Sequence, residues 1–275
     1  MAGDVAGDAV SARTAWPVLI ARSLAQLPSP LGLLPLIAAL IAWQLLAPPN
    51  SPYFPPPSSW WTGIAQSAAS GALWRAGAAS LQTIVFGLLL ATAAGVTLGI
   101  LIGVSPRLAR AMGPLLEFCR AMPPPAIVPL AILFLGYDER MKLTIVVISA
   151  MWPILLNTAS AAQRVHPILL DVATAFRLTL LQRIRLIVFP SVMPSVLLGV
   201  RIALPLCIVL TLLVEILTSI EGVGALMIAA QRNYQSGQVY GLLVLVGLFG
   251  FLINTGFSIV QTIILRRWPP RNIQA

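Results

Sequence analysis

The chain has 275 residues, 58% of them hydrophobic and only 9% charged, with a mean hydropathy of +0.91. A water-soluble domain carries about 25% charged residues, so most of this surface faces lipid, and a soluble enzyme or soluble binding module is excluded. The net charge of +9 comes from arginines scattered between apolar runs and from the single lysine, Lys142, a distribution that excludes a nucleic-acid groove.

Residues 1–30 contain Asp4, Asp8, Arg13 and Arg22 and no sustained apolar run. The first such run, Leu31–Ala47, is followed by Pro48-Pro49 and not by a small-residue cleavage site, so it reads as a retained span and signal anchor. A helix needs about 20 apolar residues to cross the hydrocarbon. Six segments qualify: Leu31–Ala47, Leu81–Val104, Met112–Gly136, Leu143–Ala162, Val192–Ile220 and Val239–Leu265. The expectation is an all-α, polytopic membrane protein with one transmembrane domain over residues 31–265, between an N-terminal segment (1–30) and a tail (266–275).

The stretch from Pro48 to Arg75 holds six prolines and Trp60, Trp61 and Trp74, which suits a stiff interfacial loop with a short surface helix. The second span carries Gly87, Gly95, Gly99 and Gly103, a face without side chains that admits a close neighbour. The third is broken by Pro123-Pro124-Pro125 and flanked by Glu117 and Arg120. Broken helices survive in a membrane only where protein or water covers the freed backbone, so this span is expected inside the bundle.

Basic residues orient the chain. Arg13 and Arg22, Arg107 and Arg110, Arg164, Arg177, Arg183 and Arg185, and Arg266, Arg267 and Arg271 fall on one side. Arg75, Arg140, Lys142 and Arg232 fall on the other, with Arg120 and Arg201 at span ends. The basic excess marks the cytoplasm, which puts both termini inside.

Within the loop 163–190, Leu169, Ala173, Phe176, Leu180, Ile184 and Ile187 recur at three or four residues, predicting an amphipathic helix from Pro167 to Pro190. Its arginines suit either anionic lipid or the groove of a soluble partner. His166 reads as structural, Asn157 as an amide bonding a neighbouring helix, and Cys119 and Cys207 as packing residues. Glu215, near the outer end of the fifth span, is expensive enough to suggest either a role at an outer gate or an interfacial cap; Arg201, about 21 Å away along the helix, is too far to pair with it.

The stretch Asp171-Val172-Ala173, then Phe189-Pro190, Pro194 and Gly199, resembles the EAA loop of ABC importer permeases. The likeness extends to Pro124-Pro125-Ala126-Ile127-Val128-Pro129-Leu130, to Trp152-Pro153-Ile154-Leu155-Leu156-Asn157-Thr158 and to Glu221-Gly222-Val223-Gly224. As a set, from about Leu81 to Trp268, these are similar to the nitrate/sulfonate/taurine branch of that family.

The resemblance implies a type I importer (MetI-like) fold of six transmembrane helices in a bacterial inner membrane, paired as a homodimer around a pathway. Asp171, Val172, Ala173, Phe176, Arg177 and Pro190 would form the coupling segment to cytoplasmic nucleotide-binding ATPase subunits, which bind the ATP and Mg. Pro124, Pro125, Asn157, Thr211 and Glu215 are the expected pathway residues. A periplasmic or lipid-anchored binding protein would deliver a small anion such as nitrate, sulfonate, taurine or bicarbonate, with membrane lipid as the surrounding partner. The chain has no G-x-x-x-x-G-K-[ST] stretch, so it is expected to be a non-catalytic subunit without a cofactor of its own. The family glycine falls on Arg177: either the turn is made differently, or Arg177 stays helical and meets the ATPase. The rivals are a secondary transporter or channel, which needs mid-membrane acids that are scarce here, and an intramembrane enzyme, for which one loop histidine is poor equipment.

Overall fold

The computed structural model describes residue 32 and residues 34–48 and 51–267. The expectations for residues 1–30 and for the tail beyond Arg267 lie outside the described residues. The chain divides into two compact units, residues 1–60 and 61–275.

In the first unit, α1 (Leu34–Leu46) has 13 residues. At 1.5 Å per residue it is about 20 Å long, short of the roughly 30 Å hydrocarbon core. The predicted first span is therefore not matched by a helix of spanning length among the described residues. The prolines after it return the chain sharply. Ser58 donates its N–H to Gln44 Oε1 at 3.0 Å and accepts from Gln44 Nε2 at 3.2 Å, and the Trp43 and Trp60 rings meet edge to face at 5.3 Å. A short helix, α2 (Ser58–Ala69), follows in the expected place.

The second unit is built around three long helices. The first, α3 (Ala72–Gly103), is followed by α4 (Pro106–Ala121) and α5 (Pro124–Leu135) and then by α6 (Glu139–Gln163). The predicted glycine face of α3 packs on α6. A Cβ on Gly95 would stand 2.9 Å from Ile154 Cβ, one on Gly99 2.7 Å from Thr158 Cβ, and one on Gly103 2.7 Å from the Ala159 carbonyl oxygen. These pairs advance together along both helices, so α3 and α6 run parallel. On the other flank, Gly199 of α9 (Phe189–Thr218) meets the Ile154 Cα, and there the order is reversed: α9 is antiparallel to α6. Ile154, Val146, Ala150, Ala203 and Cys207 fill the resulting core.

Parallel α3 and α6 require the chain to travel back between them, and the α4–α5 pair makes that journey with a bend of 95°. Met122 and Pro123 are both extended (ψ 122° and 124°), as residues preceding proline prefer. The pair is peripheral, contrary to expectation: its buried residues are Leu116, Val128 and Ala131. With Arg107, Arg110, Glu117 and Arg120, α4 is too polar for a bundle core. The remaining helices are α7 (Pro167–Ala175), α8 (Leu180–Arg183), a π-helical turn at Ile184–Val188, α10 (Val223–Arg232) and α11 (Ser236–Arg267). Among the described residues, four helices are long and apolar enough to cross a membrane: α3, α6, the continuous Leu180–Thr218 helix and α11. Counting the bent pair as one span makes five among the described residues, against six predicted.

Candidate functional site

The loop 163–190 is two helices, not the single amphipathic helix expected. Pro167 opens α7 at a position where a missing N–H costs nothing, and His166 Nδ1 caps it by accepting from the Ile168 N–H at 3.3 Å. The helix stops at Arg177, which adopts φ +48°. The Leu178 N–H bonds the Ala173 carbonyl and the Arg177 N–H bonds the Thr174 carbonyl, both at 2.9 Å. This is the Schellman arrangement that glycine normally completes. The turn is thus made in the glycine manner with an arginine in it, at about 1–2 kcal/mol for the left-handed backbone.

Thr179 then starts the next helix with a reciprocal cap. Its N–H donates to Gln182 Oε1 at 2.9 Å, and its hydroxyl accepts from the Gln182 N–H at 3.4 Å. From Leu180 the chain is helical without a break to Thr218. Pro190 does not end a segment but sits in the first turn of α9, half-buried. The π turn before it, in which the Phe189 N–H bonds the Ile184 carbonyl, is the wide ring that eases a proline into a continuing helix.

The turn decides what α7 presents. Ala173 is buried against the rest of the unit, whereas Asp171, Val172, Phe176 and Arg177 are exposed, with Phe176 76% open. Leu180 and Leu181 continue this apolar surface beyond the turn. The predicted stripe is therefore split, with Ala173 facing inward and Phe176 and Leu180 outward.

The expected pathway residues do not share a surface. Pro124 and Pro125 open α5, half-buried and exposed respectively. Asn157, half-buried on α6, donates to its own helix at the Pro153 carbonyl (2.7 Å), not to a neighbouring one as expected. Thr211 and Glu215 are fully buried inside the unit and line no exposed face.

Glu215 instead organises a cluster at the opposite end from α7. Ser80 of α3 donates its hydroxyl to Glu215 Oε1 and Oε2 at 2.8 and 2.9 Å. Lys142 of α6, itself fully buried, donates to Glu215 Oε1 at 3.3 Å and to the Glu221 carbonyl at 2.9 Å, and pairs with the exposed Glu139 at 2.8 Å. Three N–H groups thus meet three acceptors. The cluster also caps α10. The Val223 N–H bonds Ser80 Oγ and the Gly224 N–H bonds Glu215 Oε2, both at 2.9 Å, so a carboxylate sits where a helix start favours negative charge. Any Cβ at Gly222 would collide with the Glu215 carboxylate, and one at Gly224 would lie 2.8 Å from Glu215 Cβ. Both glycines of Glu221-Gly222-Val223-Gly224 are therefore required by space.

Sequence reasoning placed Lys142 in an outer loop and missed Ser80. The available signal was physical: a buried membrane acid demands a counter-ion, and Lys142 opens an apolar run at the same end of the unit.

Residues 95–269 match the family described as binding-protein-dependent transport system inner membrane component. The chain is 30% identical over 243 residues to the bicarbonate transport system permease protein CmpB of Synechocystis sp., covering 83% of this chain and 86% of that one. It is 32% identical over 184 residues to the nitrate import permease protein NrtB of Leptolyngbya laminosa, covering 67% and 66%. Among solved structures, the inward-facing MetNI methionine ABC transporter superposes with a TM-score of 0.60 at 16% identity, covering 72% of this chain and 98% of that chain, a likeness of fold.

Proposed function

We propose a working cycle from one premise: the chain belongs to the family of inner membrane components of binding-protein-dependent transport systems. It is a multi-pass permease subunit of an ATP-driven ABC importer. In our reading the α7 end faces the cytoplasm, with both termini on that side, as the distribution of arginines favours. Two copies of the chain enclose the pathway. An ATPase subunit, which binds and hydrolyses ATP with Mg, receives α7 in a groove. A periplasmic or lipid-anchored binding protein delivers substrate at the end that carries Glu139 and Glu221. The substrate is a small anion, supported by the bicarbonate and nitrate named for the relatives.

The observation that carries the docking role is the left-handed stop at Arg177. It holds Phe176 and Arg177 outward at the tip of a short helix whose inner side is anchored by Ala173. Aromatic residues and arginine are both enriched at protein interfaces. Replacing Phe176 by Ala should weaken association with the ATPase by about 2 kcal/mol, or roughly thirtyfold. The measurement is co-purification and titration of the ATPase against the permease in mild detergent. Charge reversal of Asp171 and Arg177 together should abolish ATP-driven uptake while membrane insertion persists. Undiminished ATPase binding and uptake in both variants would defeat the reading.

A further inference from the structure

A cavity of about 550 Å³ lies at the α7 end of the second unit, within the roughly 300–1,000 Å³ usual for ligand sites. It opens where α3 ends at Gly103 and α6 ends at Gln163, between Arg110 of α4, Leu170 of α7 and Arg183 of α8. The charged side chains in its wall are both arginines. Among the described residues every ion pair belongs to Lys142, at the other end of the unit, so neither guanidinium is neutralised. Arg110 is steadied by its Nε–H, which donates to the Pro106 carbonyl at 3.3 Å, while its terminal amino groups have no partner among the described residues. Arg183 likewise makes no side-chain hydrogen bond among them. Leu170 and Val188 give the cavity an apolar side.

We propose that this cavity holds a phosphate group, forked between Arg110 and Arg183. Two planar guanidiniums from elements far apart in sequence, with no carboxylate in the wall, match the bidentate chemistry of phosphate oxygens. The ends of two long apolar helices put the site at headgroup depth, where basic pockets between helices take anionic lipid heads. The chemical class is a phosphodiester or phosphomonoester, from an anionic phospholipid or from a soluble phosphate. Since Leu170 is part of the wall, an occupant props α7 against the ends of α3 and α6. The inference rests on the orientation proposed above only in assigning the cytoplasmic leaflet; the cavity and its charge stand without it.

The purified full-length chain provides the test. In native mass spectrometry from mixed micelles, the wild type should retain phosphatidylglycerol over phosphatidylcholine by about tenfold or more. R110Q/R183Q should lose that preference, and R164Q/R185Q, which removes two arginines outside the cavity wall, should keep it. Phenylglyoxal modification mapped by peptide gives a second arm that needs no variant. Phosphatidylglycerol that shields Arg110 and Arg183 identifies a lipid source, and inorganic phosphate that shields them alone identifies a soluble one. Modification of both arginines unaltered by either probe, together with equal lipid retention by R110Q/R183Q and wild type, would overturn the proposal. An equal loss in the two double variants would also overturn it, because diffuse surface charge would then account for the binding. None of these readouts involves the ATPase, so failure of the docking reading is separable from failure here.

Discussion

Lys142 is the condition for the burial of Glu215. Both are fully buried, and each is surrounded by partners from other elements. Removing Lys142 strands the Glu215 carboxylate, a change that costs about 3–5 kcal/mol in buried pairs, whereas removing Glu215 leaves Lys142 paired with Glu139. Lys142→Met should therefore lower the thermal midpoint of the purified chain sharply, and Lys142→Met combined with Glu215→Gln should recover most of the loss. A single variant as stable as wild type would show that the pair carries no such weight. Arg177 makes the opposite kind of prediction. Its φ of +48° is one that glycine adopts freely, so Arg177→Gly should stabilise the fold by up to about 1 kcal/mol, less the entropy glycine adds to the unfolded chain. Arg177→Val, β-branched in a left-handed position, should destabilise it. Thermal unfolding of the two variants side by side reads the sign of each.

Among the elements, the pairing of α3 with α6 was the most legible. Glycines at four-residue spacing state that a neighbour comes close, and only the identity of the neighbour required the structure. Gly99→Ala, which places a Cβ 2.7 Å from Thr158 Cβ and 2.8 Å from the Leu155 carbonyl oxygen, should destabilise by about 1–3 kcal/mol. Gly113→Ala on α4, with nothing within 4 Å of the added atom, should leave stability unchanged or raise it slightly. The comparison is made in one detergent by thermal unfolding. The segment from Pro167 to Pro190 was misread because its apolar period continues across Arg177. A periodicity count registers spacing alone. It does not register that Thr179 and Gln182 can cap a new helix or that the preceding residue can turn left-handed. The cluster around Glu215 was hidden for another reason: its members lie as much as 143 positions apart, and only the parallel run of α3 and α6 brings Ser80 and Lys142 to one end.

For the molecule as a whole, composition was enough for a helical membrane protein, and the pieces from Leu81 onward were enough for the family. The count of crossings was less legible, because a run of apolar residues does not reveal that it will bend by 95° at Pro123. Orientation is open to direct test. In a chain with Cys119 and Cys207 replaced, a cysteine at Tyr137, exposed between α5 and α6, should react with an impermeant thiol reagent from outside intact cells. A cysteine at Arg164, between α6 and α7, should react only after permeabilisation; labelling of the reverse pattern would invert the topology. The unbroken helix from Leu180 to Thr218 then acquires a mechanical meaning. Its 39 residues make a rod of about 58 Å with the α7 turn at one tip and Glu215 near the other. A tilt of about 5° at the docking tip sweeps the far tip through about 5 Å on that length, more than the 2.9 Å bond that holds Gly224 to Glu215. In the orientation proposed above, such a rod works as a lever: a small tilt at the α7 tip arrives at the opposite end as a larger displacement, at the residue that pins α10 in place.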